Sequence, residues 1–227
     1  SLLSKIQMNH EHRLLKLPGT YNVRDLGGYP TKDGKRTKIG KYYRADSIHA
    51  LPVESRKILL NQQIGLIVDL RYSHEGTYDY HKDLGLQYAN IGLLDPAVLR
   101  HERPKSLSEL YCNIIDSKQD QLQQVYHHFA AAKLDQARLF HCRVGKDRTG
   151  IVAALLLDLA GVSHDIIIED YSLSADYLKP LYEERRKRNQ KLVPMLMESN
   201  PETMEQFLGH LYKKYDNAEG YLHGIGL

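Results

Sequence analysis

Tryptophan is absent from this 227-residue chain and cysteine nearly so, with only Cys112 and Cys142. Two cysteines cannot build the disulfide framework of a small secreted scaffold, and no C-x-x-C spacing offers a metal site. That usage fits a reducing compartment, so the expected location is cytoplasmic; secretion stays open if a signal was removed. The opening Ser1-Leu2-Leu3-Ser4-Lys5 is too short and too soon interrupted to be a secretory signal itself. No apolar stretch approaches the roughly 18 to 20 residues of a membrane span, so stable membrane insertion is not expected. Charge of one sign is scarce too: the net charge is +3 with the signs mixed along the chain, which argues against nucleic acid as a partner. The densest basic run, Arg185-Arg186-Lys187-Arg188, follows Glu183 and Glu184 and reads as the solvated face of a helix. Internal repeats and low-complexity tracts are missing.

What remains is ordinary globular material, with 42% hydrophobic and 26% charged residues. Residues 1–227 suit one domain. Leu66-Ile67-Val68-Asp69-Leu70 reads as a buried strand, after a helix that Pro52 opens. Tyr88-Ala89-Asn90-Ile91 and Arg138-Leu139-Phe140-His141 read as two more strands. Thr149 to Ala160 is apolar on nearly every face, which marks a core helix, and Gly161 ends it. This grammar predicts an α/β fold with a mostly parallel central sheet flanked by helices. The last sixty residues read as helical. A helical insertion within 77–134 is expected to lean over the site.

The chemistry lies in His141-Cys142-Arg143-Val144-Gly145-Lys146-Asp147-Arg148-Thr149-Gly150. A strand, a tight loop and a helix N-terminus make an anion site, because backbone N–H groups and the helix dipole face the ligand. Gly145 lets the backbone curl round a tetrahedral oxyanion. Cys142 feels the same positive field, which lowers a thiol pKa from about 8.5 into the range of roughly 3.5 to 7.5. Arg148 closes the loop with a planar fork that matches two phosphate oxygens. Cys142 and Arg148 therefore read as nucleophile and clamp on one ring of backbone. Eight specified positions of this kind arise by chance with odds on the order of one in a hundred million.

The segment resembles the signature of the protein tyrosine phosphatase superfamily. Its Lys-Asp pair is similar to the lipid-like, atypical bacterial branch, which includes secreted mycobacterial and listerial enzymes acting on phosphotyrosine and phosphoinositides. Asn22-Val23-Arg24-Asp25-Leu26-Gly27-Gly28-Tyr29 resembles that branch's N-R-D-L-G-G segment, and Val68-Asp69-Leu70-Arg71 its V-I-D-L-R strand end. The resemblance implies a phosphatase that needs no cofactor and no metal, and works through a thiophosphate intermediate. It also implies phosphotyrosine proteins or phosphoinositides as partners, with phosphate or another oxyanion in the loop. A catalytically weak module that docks phosphorylated ligands is the further alternative; the presence of Cys142, Asp147 and Arg148 together speaks against it.

Roles follow residue by residue. Arg143, Val144, Gly145 and Lys146 would bind substrate through the loop. Lys146 would stand at its rim, within reach of a second phosphate. Thr149 would hydrogen-bond the departing thiolate, and His141 would order the loop and lower the thiol pKa. The absence of tryptophan excludes the W-P-D loop that carries the acid in typical tyrosine phosphatases. In the lipid-like branch an aspartate of the phosphate loop is assigned that role, and Asp147 matches it; Asp69 and Asp95 are the other candidates. Arg24 and Asp25, with Arg71, would either contact substrate or brace the loop. Cys112 reads as buried and inert. Tyr72, Tyr78 and Tyr80 cluster after the Asp69 strand, and one could stack on an aryl substrate.

Overall fold

The computed structural model describes residues 8–75, 84–101 and 103–227. Tyr78, Tyr80 and the start of the expected insertion at Thr77 lie outside them. Five strands form one sheet: β1 (Arg24–Asp25), β2 (Tyr42–Ala45), β3 (Ile64–Asp69), β4 (Gln87–Asn90) and β5 (Ala137–His141), in the order β1-β2-β5-β3-β4. β1 runs antiparallel to β2, and every other pair is parallel. Three strands thus fall where the apolar runs predict them. β1 and β2 escape that reading because β1 is two charged residues and β2 is short and carries Arg44.

Side-chain alternation along the central strands feeds two cores. Leu66, Val68, Leu70 and Phe140 face one side of the sheet, and Ile67 and Leu139 the other. The larger core is closed by α2 (Leu107–Ser117), α3 (Gln119–Ala131), α4 (Arg148–Leu159), α5 (His164–Tyr177) and α7 (Pro201–Tyr215). The smaller core receives Leu59 of α1 (Val53–Asn61), with Pro52 just ahead of that helix in its cap position. Two more helices, α6 (Lys179–Lys187) and α8 (Ala218–Gly224), complete a C-terminal region that is helical as expected. Leu110 of α2 lines the cavity that Cys142 also lines, and Tyr111 of α2 bonds Asp147.

Register decides where the site forms. Ala45 stands opposite His141, His141 opposite Asp69, and Asp69 opposite Asn90, so four parallel strands end on one line. In open α/β sheets the carboxyl ends of the strands are where ligands bind. The chain leaves β5 at that line and enters α4 seven residues later, at Arg148.

Candidate active site

Cys142 follows β5 directly and is buried, and the loop from Arg143 to Asp147 curls back to the first turn of α4. Gly145 has φ +71°, and a Cβ there would lie 2.5 Å from the carbonyl carbon and oxygen of Ala45. Both the conformation and the close approach to the end of β2 call for glycine. The loop carbonyls are turned away from the cavity by named donors. Asn22 Nδ2 donates to the carbonyls of Val144 and Gly145, each at 3.1 Å. Arg44 Nη2 donates to Gly145 at 3.0 Å, and the Ser47 amide to Arg143 at 3.0 Å. A planar trans peptide sends its N–H opposite to its carbonyl, so the N–H groups of Val144, Gly145 and Lys146 point the other way. Among the described residues, no acceptor meets the N–H groups from Arg143 to Arg148. Such a ring of unengaged amides at a helix N-terminus is built to receive an oxyanion.

Arg148 closes the ring and is 6% exposed. Its Nη1 and Nη2 bond the two carboxylate oxygens of Glu75 at 2.6 and 2.9 Å, and Nη1 also reaches the Leu94 carbonyl at 3.1 Å. Burial acts to lower the guanidinium pKa, but Glu75, Cys142 and Asp147 outweigh it and push it up. Glu75 was not recognised from the sequence, where it is one carboxylate among many. No local signal marks it, because its partner lies 73 positions away.

Asp147 is the one acidic candidate of the sequence reading that borders the same cavity as Cys142. Its Oδ1 accepts from Lys146 Nζ at 2.7 Å and from the Tyr111 hydroxyl, while Oδ2 has no partner among the described residues. Burial and the Asp147 charge push the Tyr111 pKa well up, so that hydroxyl stays a donor. Tyr111 is the second residue missed from the sequence, sixteen tyrosines giving no means of choosing one.

Four expectations need correction. Lys146 is not at the rim: it is 0% exposed, and its ammonium is held by Asp147 and the Glu198 carbonyl. Asp69 does not border the Cys142 cavity. Its Oδ1 accepts from the Arg71 amide and Nε, and Oδ2 from Arg71 Nη2 and the Tyr88 hydroxyl. Burial acts to raise its pKa, but His141, Arg71 and Tyr88 outweigh that and hold it below the usual carboxylate range, the wrong direction for a proton donor. Arg24 and Asp25 do not contact the cavity. Arg24, fully buried, donates to Asn22 Oδ1 and to the Asp170 carbonyl at 2.8 Å, which braces the residue that braces the loop. Asp25 accepts from the amides of Gly27 and Gly40, each at 2.8 Å. Finally, Arg185 departs from a fully solvated face: it is half-buried against the cavity, whereas Arg186, Lys187 and Arg188 are exposed.

The remaining candidates divide between the loop and places away from the Cys142 cavity. His141 is wholly buried, and its Nδ1 donates to the Cys142 carbonyl at 3.0 Å. Burial acts to lower its pKa, against the opposing pull of Asp69 and of the Cys142 carbonyl. Thr149 is buried, and its hydroxyl has no partner among the described residues. Asp95 accepts from the Ala97 amide and pairs with His74, each at 2.9 Å, outside the Cys142 cavity. Tyr72 borders a separate cavity. Cys112 is half-buried rather than buried, and burial with Asp116 pushes its thiol up to about 11, away from the thiolate form.

The cavity over Cys142 measures about 280 Å³. Its floor is Cys142, Arg143, Val144, Asp147 and Arg148, and its walls include Leu94, Leu99, Leu110, Tyr182 and Leu196. Cationic floor and apolar walls define a pocket for a phosphate ester. The chain belongs to the tyrosine phosphatase family, whose model matches residues 15–227. It is 32% identical over 208 residues to a tyrosine-protein phosphatase of Nostoc commune, covering 82% of this chain and 69% of that one. A shorter match of 43 residues, 49% identical, covers 19% of this chain and 16% of the triple specificity protein phosphatase PtpB of Mycobacterium tuberculosis. The crystal structure of P. aeruginosa TpbA is similar at 14% identity and a TM-score of 0.46, covering 85% of this chain and 90% of that one. This protein is a phosphatase of the tyrosine phosphatase type. No described helix is long and apolar enough to cross a membrane.

Proposed function

We propose that residues 1–227 act as one catalytic unit that hydrolyses aryl phosphate monoesters, phosphotyrosine above all, through a covalent phosphocysteine. The observation that carries this reading is that Cys142, Arg148 and Asp147 surround one cavity of about 280 Å³ beside an amide ring with no acceptor of its own. The Cys142 thiolate attacks phosphorus while the phosphorus–oxygen bond to the leaving group breaks. Arg148 and the amides of Arg143 to Arg148 hold the equatorial oxygens, where charge develops. Glu75 keeps the Arg148 fork in plane before substrate arrives. Because Lys146 and Tyr111 both occupy Asp147 Oδ1, the proton for the leaving oxygen has its seat on Oδ2. Water then attacks the phosphocysteine, Asp147 takes its proton, and inorganic phosphate leaves with the thiolate restored. The unpartnered Thr149 hydroxyl supports a role as donor to the sulfur as it departs. The apolar walls suit the phenol ring.

The test is Cys142→Ser. Turnover of a phosphotyrosine peptide should vanish while binding of that peptide persists, since the amide ring and Arg148 are untouched. Residual turnover near the wild-type rate would sink the covalent mechanism.

A further inference from the structure

Beside the Cys142 cavity lies a second one of about 690 Å³. The two share Glu75, Pro96, Arg143 and Arg185 along one edge. Of the shared charged residues, Glu75 is satisfied by Arg148. The guanidinium groups of Arg143 and Arg185 have no hydrogen-bond or ion-pair partner among the described residues. The other carboxylate of the second cavity, Asp46, spends its oxygens on the amides of Tyr21 and Asn22, each at 2.9 Å. His49 and His74 line the same wall, His49 bonded to the Ser47 hydroxyl and His74 paired with Asp95, while Arg71 is engaged by Asp69.

Two guanidinium groups from different elements, the loop and α6, therefore meet at one edge with no carboxylate partner among the described residues. Burial, then repulsion from Arg143, lowers the pKa of Arg185. Burial, with Arg71 and Arg143 near by, lowers that of His49. Positive groups are pressed together here at a cost that a bound anion would relieve, and two forked donors match the oxygens of a phosphoryl group.

Resting on the reading of Cys142 as a hydrolytic centre, we infer that Arg143 and Arg185 form a subsite for a second phosphoryl group of the same small substrate, as on a vicinal bisphosphate. This assigns to the two arginines the contact that Lys146, buried under the loop, cannot make. The same chemistry is offered by a free polyphosphorylated inositol and by the same headgroup on a lipid.

The experiment compares kcat/KM of wild type, Arg185→Gln, Arg185→Lys and Arg143→Gln. The substrates are an inositol bisphosphate with adjacent phosphates, its lipid form in vesicles of otherwise neutral lipid, an inositol monophosphate, and phosphotyrosine peptides with acidic or neutral flanks. Each Gln variant should lose about five-fold more on the bisphosphate than on the monophosphate, equally in solution and in vesicles, and Arg185→Lys should recover part of the loss. Arg185 lies outside the loop, so its variants keep the test decisive if Arg143→Gln distorts the backbone. Equal losses on mono- and bisphosphate overturn the subsite. So does a selective loss confined to acidic-flanked peptide, which would make the arginines a peptide reader, or one confined to vesicles, which would make them a membrane contact. If wild type turns over neither the neutral-flanked phosphotyrosine peptide nor any inositol phosphate, the hydrolytic reading itself fails, a result separable from every one of these.

Discussion

Among single residues, Asp147 is the one whose surroundings say most about chemistry. Its two hydrogen-bond partners, Lys146 and Tyr111, come from different parts of the chain. The loop supplies Lys146, α2 supplies Tyr111, and between them they fix one carboxylate oxygen and leave the other without a partner among the described residues. If Asp147 is the acid, Asp147→Asn should slow a phosphotyrosine peptide far more than an activated aryl phosphate whose leaving group needs little protonation. General acid catalysis is worth about 10²- to 10⁴-fold. Tyr111→Phe should show the same dependence on leaving group in weaker form, since it loosens the carboxylate without removing it. Measured over a series of aryl phosphates, a flat response in Asp147→Asn, or a steep one in Asp69→Asn, would move the role elsewhere. The sequence named Asp147 by position but misread Lys146. A lysine between glycine and aspartate looks like a surface cation, and only the fold reveals the Glu198 carbonyl, 52 positions on, that draws it inward.

The loop between β5 and α4 was legible because its constraints are local. Six residues, Cys142 to Asp147, between a buried strand and a buried helix leave few backbone paths, and the residue types that satisfy them are diagnostic. Its supports were less legible, because each comes from a distant element: Asn22 before β1, Arg44 on β2, Glu75 after β3. The strands split the same way. β3 and β5 are buried along their whole length and announce themselves as apolar runs, whereas β2 hides a buried arginine that serves the loop rather than the core. Gly145 tests this element directly. Alanine at φ +71° carries a left-handed cost of about 1–2 kcal/mol, and its Cβ meets the backbone of Ala45 at 2.5 Å, where no flexible side chain can yield. Gly145→Ala should therefore shift the loop off β2 and cost about 10²-fold in kcat/KM, with a lowered Tm. Unchanged turnover in a folded variant would show that the amide ring does not depend on that approach.

Across the whole molecule, the loop is anchored through a buried carboxylate far from the chemistry. Asp170 on α5 bonds Arg44 Nη1 of β2 at 2.7 Å and the Tyr29 hydroxyl at 2.7 Å, while its carbonyl takes Arg24 of β1. Arg44 and the Arg24–Asn22 pair pass that anchorage to the Gly145 carbonyl. N-terminal segment, sheet and C-terminal helices thus meet at one residue. Burial acts to raise the Asp170 pKa, but Arg44, Arg24 and Tyr29 outweigh it and hold it below the ordinary carboxylate value. A depressed folded-state pKa means that the unfolded chain binds the proton first. The stability Asp170 contributes is therefore present above about pH 4, its unfolded value, and is lost as pH falls through the folded one. Asp170→Asn leaves two buried arginines without their counter-charge and should cost about 3–5 kcal/mol near neutral pH. Asparagine does not titrate, so the variant escapes the acid loss that wild type suffers at this site. Thermal melts of both proteins from neutral pH down to about pH 3 should show a gap in Tm that narrows with acid. Asp46, raised to about 6 chiefly by burial, acts in the opposite sense, but it does so equally in both proteins and cancels from the gap. A gap that stays constant over that range would mean that Asp170 holds the arginines by hydrogen-bond geometry rather than by charge.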